Sequence, residues 1–420
     1  MKSSEKIFLS VGVTALIYVI YVVVVVLPSK LEASQISATL LDKISVADSE
    51  KTTTTKQRRQ LKPVDDIEKV VASKSESKSV AEVKSKRIKI EGLAAAEYPM
   101  DADCWIITDA KLSQDAYNTL QVALVEAKKH GLKNELVFEN LSTIDFVAPQ
   151  RSTGMFGSSS LRSIKAPNVT YISESAFRGC GYLERIEMPQ LKIVGKSAFR
   201  ACRKLSAIVA PNMEEIGELA FDGCSALRSV DLSNAKEILN HAFSHTKIET
   251  IDAPKAERVE YGAFKQNNRL KSVNLPMASE VSSSTIFSGC TSLTKVNMPL
   301  YTKPNSYEFS NCTSITEVSL PKLERVSMGM FGRCESMAKA HLPSADKIGA
   351  KAFEKCANLR TLEIATEPGV KLVSVAADAF VEMDTKSVNL IIGAHNKELV
   401  SGKVLSVNGV SVTFGSVKLK

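Results

Sequence analysis

From about residue 150 to residue 380 the apolar positions of this chain recur on a fixed beat. The stretch "AFRGCGYLERIEMPQLKIV", residues 176–194, returns in altered form in each following segment. The marker is phenylalanine: Phe156, Phe177, Phe199, Phe221, Phe243, Phe264, Phe287, Phe309, Phe331, Phe353 and Phe380. Successive steps are 21, 22, 22, 22, 21, 23, 22, 22, 22 and 27 residues. A period of this length is that of a stacked solenoid, in which each unit is one coil and buries its apolar side against its neighbours. Within a coil the pattern is approximately A-F-x-x-C-x-x-L-x-x-[IV]-x-[LMA]-P-x-[LAM]-x-x-[IV]. The L-x-x-I-x-L part, as in "LERIEMP" and "LKSVNLP", alternates with period two and predicts a short strand. Proline directly after it, at Pro189, Pro211, Pro254, Pro276, Pro299, Pro321 and Pro343, ends the strand and turns the chain. Departures stand out against the beat. Ser233 replaces the proline, Pro304 replaces an aliphatic residue, Ala340 occupies a core strand position, and the coil of residues 353–379 is long.

Outside the array the periods change. "CWIITDA" predicts a short strand and "SQDAYNTLQVALVEAKKHG" a helix over residues 113–130. Ser113 is its cap, and Ala116, Leu120, Ala123, Leu124 and Ala127 form its apolar face. Lys128, Lys129 and His130 suit its negative end, and Gly131 follows it. An open solenoid end exposes its core, so this helix, within residues 98–150, is expected to cap the array of residues 151–380. "ELVFENLSTID" leads into the first coil. Residues 381–420 are expected to form a C-terminal β cap, with a hairpin turning at Asn408-Gly409 because that turn needs positive φ at both central residues.

The N-terminal segment differs in kind. Residues 7–27 form an uninterrupted uncharged run of 21 residues, enough for a helix of about 30 Å, the thickness of a bilayer core. Lys2 and Lys6 precede it, so residues 1–6 are expected to stay cytoplasmic and everything after Leu27 to lie outside. An uncleaved transmembrane anchor fits its length; the competing reading is a cleaved signal peptide with sites at Ala33 or Ala38. Both export the rest of the chain. Residues 28–97 carry no aromatic residue before that boundary and are rich in Lys, Glu, Ser and Thr. They are expected to form a disordered stalk.

Composition changes this picture little. The chain has 420 residues, a net charge of +8 and one tryptophan, Trp105. The mild positive charge is not concentrated in a block, which argues against a nucleic-acid partner. Seven cysteines, Cys180, Cys202, Cys224, Cys290, Cys312, Cys334 and Cys356, share one slot of the coil; Thr246 and Asn267 fill it elsewhere. With no C-x-x-C pair they lack the spacing of a metal site, and small buried residues meeting backbone groups are the expectation. His241 and His245, four apart, fall in a turn and are expected to be solvated rather than metal-binding. No cofactor or catalytic motif is present, so neither an enzyme nor a small-molecule binder is indicated.

Residues between the inward strand positions point outward and form two ranks along the stacked strands. One rank contains Lys165, Glu187, Val209, Asp231, Asp252, Asn274, Asn297, Ser319, His341 and Glu363. The other contains Ser163, Arg185, Ala207, Ser229, Thr250, Ser272, Lys295, Glu317, Lys339 and Thr361. The candidate partner-binding residues among them are Arg185, Glu187, Asp231, Asp252, Asn274, Lys295, Asn297, Glu317, Ser319, Lys339 and His341. No aromatic residue stands in either rank, which disfavours sugar recognition by stacking.

The Phe-x-x-Cys-x-x-Leu and strand-Pro phrases resemble the BspA-like leucine-rich repeats over residues 150–380. The resemblance implies a β-rich leucine-rich-repeat solenoid of ~22-residue coils on a surface or secreted protein with a role in adhesion. Its implied partner is a protein or extracellular-matrix ligand. The alternative is an envelope or periplasmic scaffold without an external ligand.

Overall fold

The computed structural model describes residues 87–90, 103–131, 134–146, 154, 156–157, 159–279 and 284–420. By contacts the chain divides into two units, Met1–Glu82 and Val83–Lys420, of which the first lies outside the described residues. The cytoplasmic tail 1–6, the apolar run 7–27, the cleavage positions Ala33 and Ala38, and most of the stalk 28–97 therefore lie outside them too. Among the described residues no helix is long and apolar enough to cross a membrane.

The second unit is a stack of coils carrying two parallel ladders. The L-x-x-I-x-L segments make the first. Its opening sheet runs Arg87–Ile90, Cys104–Ile107, Glu135–Phe138, Ser163–Lys165, Arg185–Glu187 and Ala207–Val209. A three-stranded sheet follows over Thr250–Asp252, Ser272–Asn274 and Lys295–Asn297. A five-stranded sheet of Glu317–Ser319, Lys339–Leu342, Thr361–Ile364, Asn389–Ile392 and Ser416–Leu419 ends it. The second ladder is built of two-residue strands, from Thr143–Ile144 through Ile193–Val194, Glu215–Ile216 and Glu237–Ile238 to Arg258–Val259. It resumes where Val326 bridges Ile348.

Two sequence expectations need correction. The stretch expected to be a disordered stalk, 28–97, contains a strand, since Arg87–Ile90 pairs in parallel with Cys104–Ile107, Ile88 opposite Trp105. A four-residue strand supplied with hydrogen bonds by a neighbour needs no core of its own. The predicted strand around Asp231 is not formed: residues 228–233 have no ladder assignment, and the first ladder is interrupted there. Ser233, in the proline slot, is the cause visible in the structure. Its N–H and hydroxyl both donate to Asp231 Oδ1, at 3.0 and 2.6 Å, closing a side-chain turn of the kind Asp favours. Ala340, by contrast, is fully buried and keeps its register between Val318 and Leu362.

The helix forms at Gln114–Lys129, with the Ser113 side chain accepting from Ala116 N–H at 3.2 Å and six buried residues on one face. Residues 381–420 add two strands to the first ladder. Between them a meander turns at Asn408 (φ 48°) and Gly409 (φ 77°), where Val407 pairs with Val410.

The core is a column. Phenylalanine rings from Phe156 to Phe380 stack with centroids 5.2–5.9 Å apart and planes within 22°. The column ends edge-on against Phe414 and, through Phe146, against Tyr117 of the helix. Such offset pairs add about 0.5–1.5 kcal/mol each beyond simple burial. To bring each ring into line the backbone adopts left-handed φ two residues before and two after it. Ser197 and Ala201 do so around Phe199, and Leu219 and Gly223 around Phe221. Inter-coil hydrogen bonds offset that strain, as from Phe199 N–H to Ala220 O and from Ala201 N–H to Asp222 O. The slot cysteines are free and buried. Each from Cys202 onward donates its thiol to the phenylalanine carbonyl of the preceding coil, at 3.1–3.2 Å, as Cys224 does to Phe199. Burial raises these thiols, Cys290 to about 12. Where cysteine is missing, Thr246 and Asn267 bond each other and the Phe243 carbonyl.

Candidate partner-binding face

The outward residues of the first ladder fall in register, because parallel pairing sets identical slots of neighbouring coils side by side. Arg185 lies between Ser163 and Ala207, and Glu187 between Lys165 and Val209. In the middle sheet Asp252, Asn274 and Asn297 align, beside Thr250, Ser272 and Lys295. In the last sheet Glu317 and Lys339 continue to Thr361, and Ser319 and His341 to Glu363. The structure thus groups ten of the eleven candidates into three strand-borne patches. Asp231 is exposed but committed to the Ser233 turn.

Within the patches neighbours bond along the rank. Asn274 Nδ2 donates to Asp252 Oδ1 at 2.8 Å and Asn297 Nδ2 to Asn274 Oδ1 at 2.6 Å, making a continuous amide ladder. Lys339 Nζ lies 2.8 Å from Glu317 Oε1, and this bond raises the lysine. Across the two ranks, Arg185 reaches Glu187 of its own strand at 3.5 Å. His341 Nδ1 meets Glu363 Oε2 at 2.8 Å, and Lys420 Nζ meets its other oxygen. Burial pushes the Glu363 carboxyl up, but the bonds from Lys420 and His341 together hold it below the usual range. The exposed Lys339–Glu317 and Arg185–Glu187 pairs are worth about 0–1 kcal/mol, so they order the face more than they stabilise it, whereas Glu363 is buried. Lys295 is exposed and, among the described residues, has no ion pair. It stands beside the amide ladder as an uncommitted cation.

The ranks run on beyond Thr361 and Glu363. Asn389 and Ser416 continue one and Ile391 and Lys418 the other. The alternation of "SVKL" signals the last strand, whereas "NLII" carries a single polar residue and gives no period-two signal. His241 and His245 do not converge. His241 Nδ1 meets Ser244 Oγ at 3.2 Å, and His245 Nδ1 meets Asp222 Oδ1 at 3.0 Å.

Parallel ladders, a repeat near 22 residues and a continuous apolar column define a leucine-rich-repeat solenoid. The BspA type leucine rich repeat region matches in six copies, over residues 151–271 and 236–360. The chain belongs to this family, whose members are typically surface proteins that engage other proteins and whose repeat fold is typically non-enzymatic. Similar solved structures include a leucine rich cell surface protein from Faecalibacterium prausnitzii, 18% identical, TM-score 0.25, covering 50% of this chain and 82% of that one. The T. pallidum leucine rich repeat protein is 20% identical, TM-score 0.31, with coverage of 55% and 83%. A leucine-rich repeat protein from Bacteroides ovatus is 17% identical, TM-score 0.24, with coverage of 56% and 88%. No curated protein matches the chain significantly.

Proposed function

We propose that this is a non-enzymatic, membrane-anchored surface protein that binds a protein or extracellular-matrix partner through the outward ranks of the first ladder. Residues 7–27 anchor it with the N-terminus cytoplasmic, the segment up to about residue 86 is the stalk, and the repeat body is extracellular or periplasmic. The helix Gln114–Lys129 and the C-terminal strands cap the body. The observation that carries the reading is the central patch, where the uncommitted Lys295 stands beside the Asp252–Asn274–Asn297 amide ladder. Asn274 keeps one N–H and one lone pair for a partner, and Asn297 one N–H and both lone pairs. Arg185, Glu187, Glu317, Ser319, Lys339 and His341 extend the contact along the stack, and Asp231 lies at its interruption.

The test is photo-crosslinking on intact cells from single positions in the full chain. Probes at Asn297 and Ser319 are expected to trap one common partner, and probes at the second-ladder positions Lys192 and Lys236 are not. Equal yields from both faces would remove the assignment. A second reading, an envelope scaffold without external ligand, draws on the pairs Lys339–Glu317 and His341–Glu363, which satisfy much of the face internally. It predicts no trapped partner from any position.

A further inference from the structure

Between each phenylalanine of the column and the first ladder the coil makes two tight turns. Cys202 N–H donates to Phe199 O and Leu205 N–H to Cys202 O. The cysteine and leucine are thereby buried, while Arg203 and Lys204 between them are exposed. In the five coils that follow Phe177, Phe199, Phe221, Phe243 and Phe264 these turns are residues 178–184, 200–206, 222–228, 244–249 and 265–271. Together they carry nine lysines and arginines against three carboxylates. The corresponding turns of the next two coils, residues 288–294 and 310–316, carry no charge at all. Stacking sets equivalent turns side by side, with ring-to-ring steps of 5.2–5.9 Å along the column. Cations scattered through the sequence become one strip.

All three carboxylates of the strip are already taken. Glu184 lies 3.2 Å from Arg162, and Asp222 lies 3.1 Å from Arg200 and 3.0 Å from His245. Glu249 lies 2.9 Å from Lys271 and 3.6 Å from Arg228. Of the carboxylates on the flank before the phenylalanines, Glu218 is held by Lys196 at 2.8 Å, and Glu174 stands at the end of the strip. Arg178, Arg203, Lys204, Lys247, Lys265 and Arg269 make no ion pair among the described residues. Two half-exposed rings hold ammonium groups in place. Lys204 Nζ and Lys128 Nζ lie 4.8 and 5.3 Å from the centre of the Tyr182 ring, and Lys265 Nζ lies 6.0 Å from that of Tyr261. Such contact orients a cation without neutralising it. Like charge left in one strip repels itself, and an anion laid over it relieves the repulsion.

We propose that this strip is a second binding face, for a linear acidic polysaccharide laid along the stack with its sulfate or carboxylate groups over successive coils. It goes beyond the first-ladder reading and stands or falls apart from it. Three features choose this occupant. The cations recur coil by coil along one line, which a chain charged on successive units can follow and a compact acidic ligand cannot. The apolar residues of the turns, Leu183, Leu205, Leu227, Ile248 and Leu270, are all buried, so the strip offers no apolar anchor to a membrane and no hydrophobic socket to a folded protein. The Tyr182 ring is engaged by two ammonium groups, and Tyr261 by Lys265 and edge-on by His241, so neither is an open platform for stacked bases. Arginine forks and lysine ammonium groups are the donors that sulfate and carboxylate oxygens accept from most strongly.

The experiment is a titration of the full chain in mild detergent with a size-defined heparin oligosaccharide, with oligodeoxythymidine and polyglutamate of equal charge as competitors. The wild type is expected to bind the oligosaccharide at about 0.1 M salt and to weaken toward about 1 M, as screening shortens from about 10 to 3 Å. Arg203→Glu/Lys204→Glu is expected to raise the dissociation constant at least about ten-fold, and Arg269→Glu, in another coil, about three-fold. Lys322→Glu/Lys347→Glu removes the same charge from exposed positions off the strip and is expected to change it less than about two-fold. Unchanged thermal melting of the strip variants separates lost binding from misfolding. A wild type that does not bind the oligosaccharide at about 0.1 M salt overturns the proposal. So does an equal loss in strip and off-strip variants, which would report net charge alone. Displacement by either competitor at equal concentration overturns it too, and would assign the strip to nucleic acid or to an acidic protein.

Discussion

The coil that closes on Phe221 and the coil that closes on Phe309 fill the same slots with opposite chemistry. In the first, Met213, Ile216 and Ala220 are buried and apolar. In the second the corresponding positions are Tyr301, Pro304 and Glu308, all buried as well. The regular coil hands its backbone to its neighbour, as Gly217 N–H donates to Val194 O at 2.8 Å. In the irregular coil Pro304 has no N–H to give, and the second ladder is broken there. The Glu308 carboxylate takes over part of the bonding. It accepts from Asn305 N–H at 2.9 Å in its own coil and from Ile286 N–H at 3.3 Å in the coil before. The Tyr301 hydroxyl beside it is buried and, among the described residues, makes no hydrogen bond of good geometry, though it lies close enough to help hold the Glu308 carboxyl down. The solenoid therefore tolerates a polar joint where a carboxylate can reach two backbone donors, at the cost of a buried charge.

The comparison breaks most sharply if the column is not the main support. Phe221→Ala is expected to destabilise the protein by about 3–5 kcal/mol in denaturant unfolding. Phe309→Ala is expected to cost measurably less, because the cavity opens beside Glu308 and Tyr301 and can admit a water that serves them. Equal losses would mean that the polar joint is as dry and well packed as its regular counterpart.

The next effect is one of pH. Burial pushes the Glu308 carboxyl up from 4.5 to about 7, partly countered by the bonds from Asn305 and Ile286. The folded state thus holds this proton more tightly than the unfolded chain. Stability is gained as pH falls through 7 toward 4.5 and lost as pH rises through 7, by up to on the order of 3 kcal/mol. Glu308→Gln is expected to abolish that slope between pH 4.5 and about 7. An unchanged slope in thermal melts of the variant would place its origin elsewhere.

The smallest effect concerns the thiol slot, which is alike in both coils. Cys224→Ala and Cys312→Ala each lose a donor to a phenylalanine carbonyl and are expected to cost about 0.5–1.5 kcal/mol. In both regions the folded protein is expected to resist thiol-directed alkylation. A fast-reacting slot cysteine would show that a coil opens locally.

Much of this was legible in the sequence. The phenylalanine spacing gave the coil, the period-two segments gave the first ladder, and Ser113 and Asn408-Gly409 marked the helix start and the hairpin. The rest depended on register across coils. Two-residue strands have no period to detect, and Arg178, Arg203, Lys204, Lys247, Lys265 and Arg269 become a strip only once their coils are stacked. Pro304 was visible as a departure, but Glu308 was not, since a single glutamate in a turn gives no sign of burial. Asp231 pointed outward as expected, yet its carboxylate was already taken by Ser233 two residues away.

In the proposed arrangement the repeat body stands outside the membrane on a stalk, with its first ladder open to a partner. Protease shaving of intact cells, followed with an antibody against the repeat body, tests it most directly. Release of a fragment starting near residue 87 is the predicted result. Full protection in intact cells, lost on permeabilisation, would contradict display and leave the scaffold reading in its place.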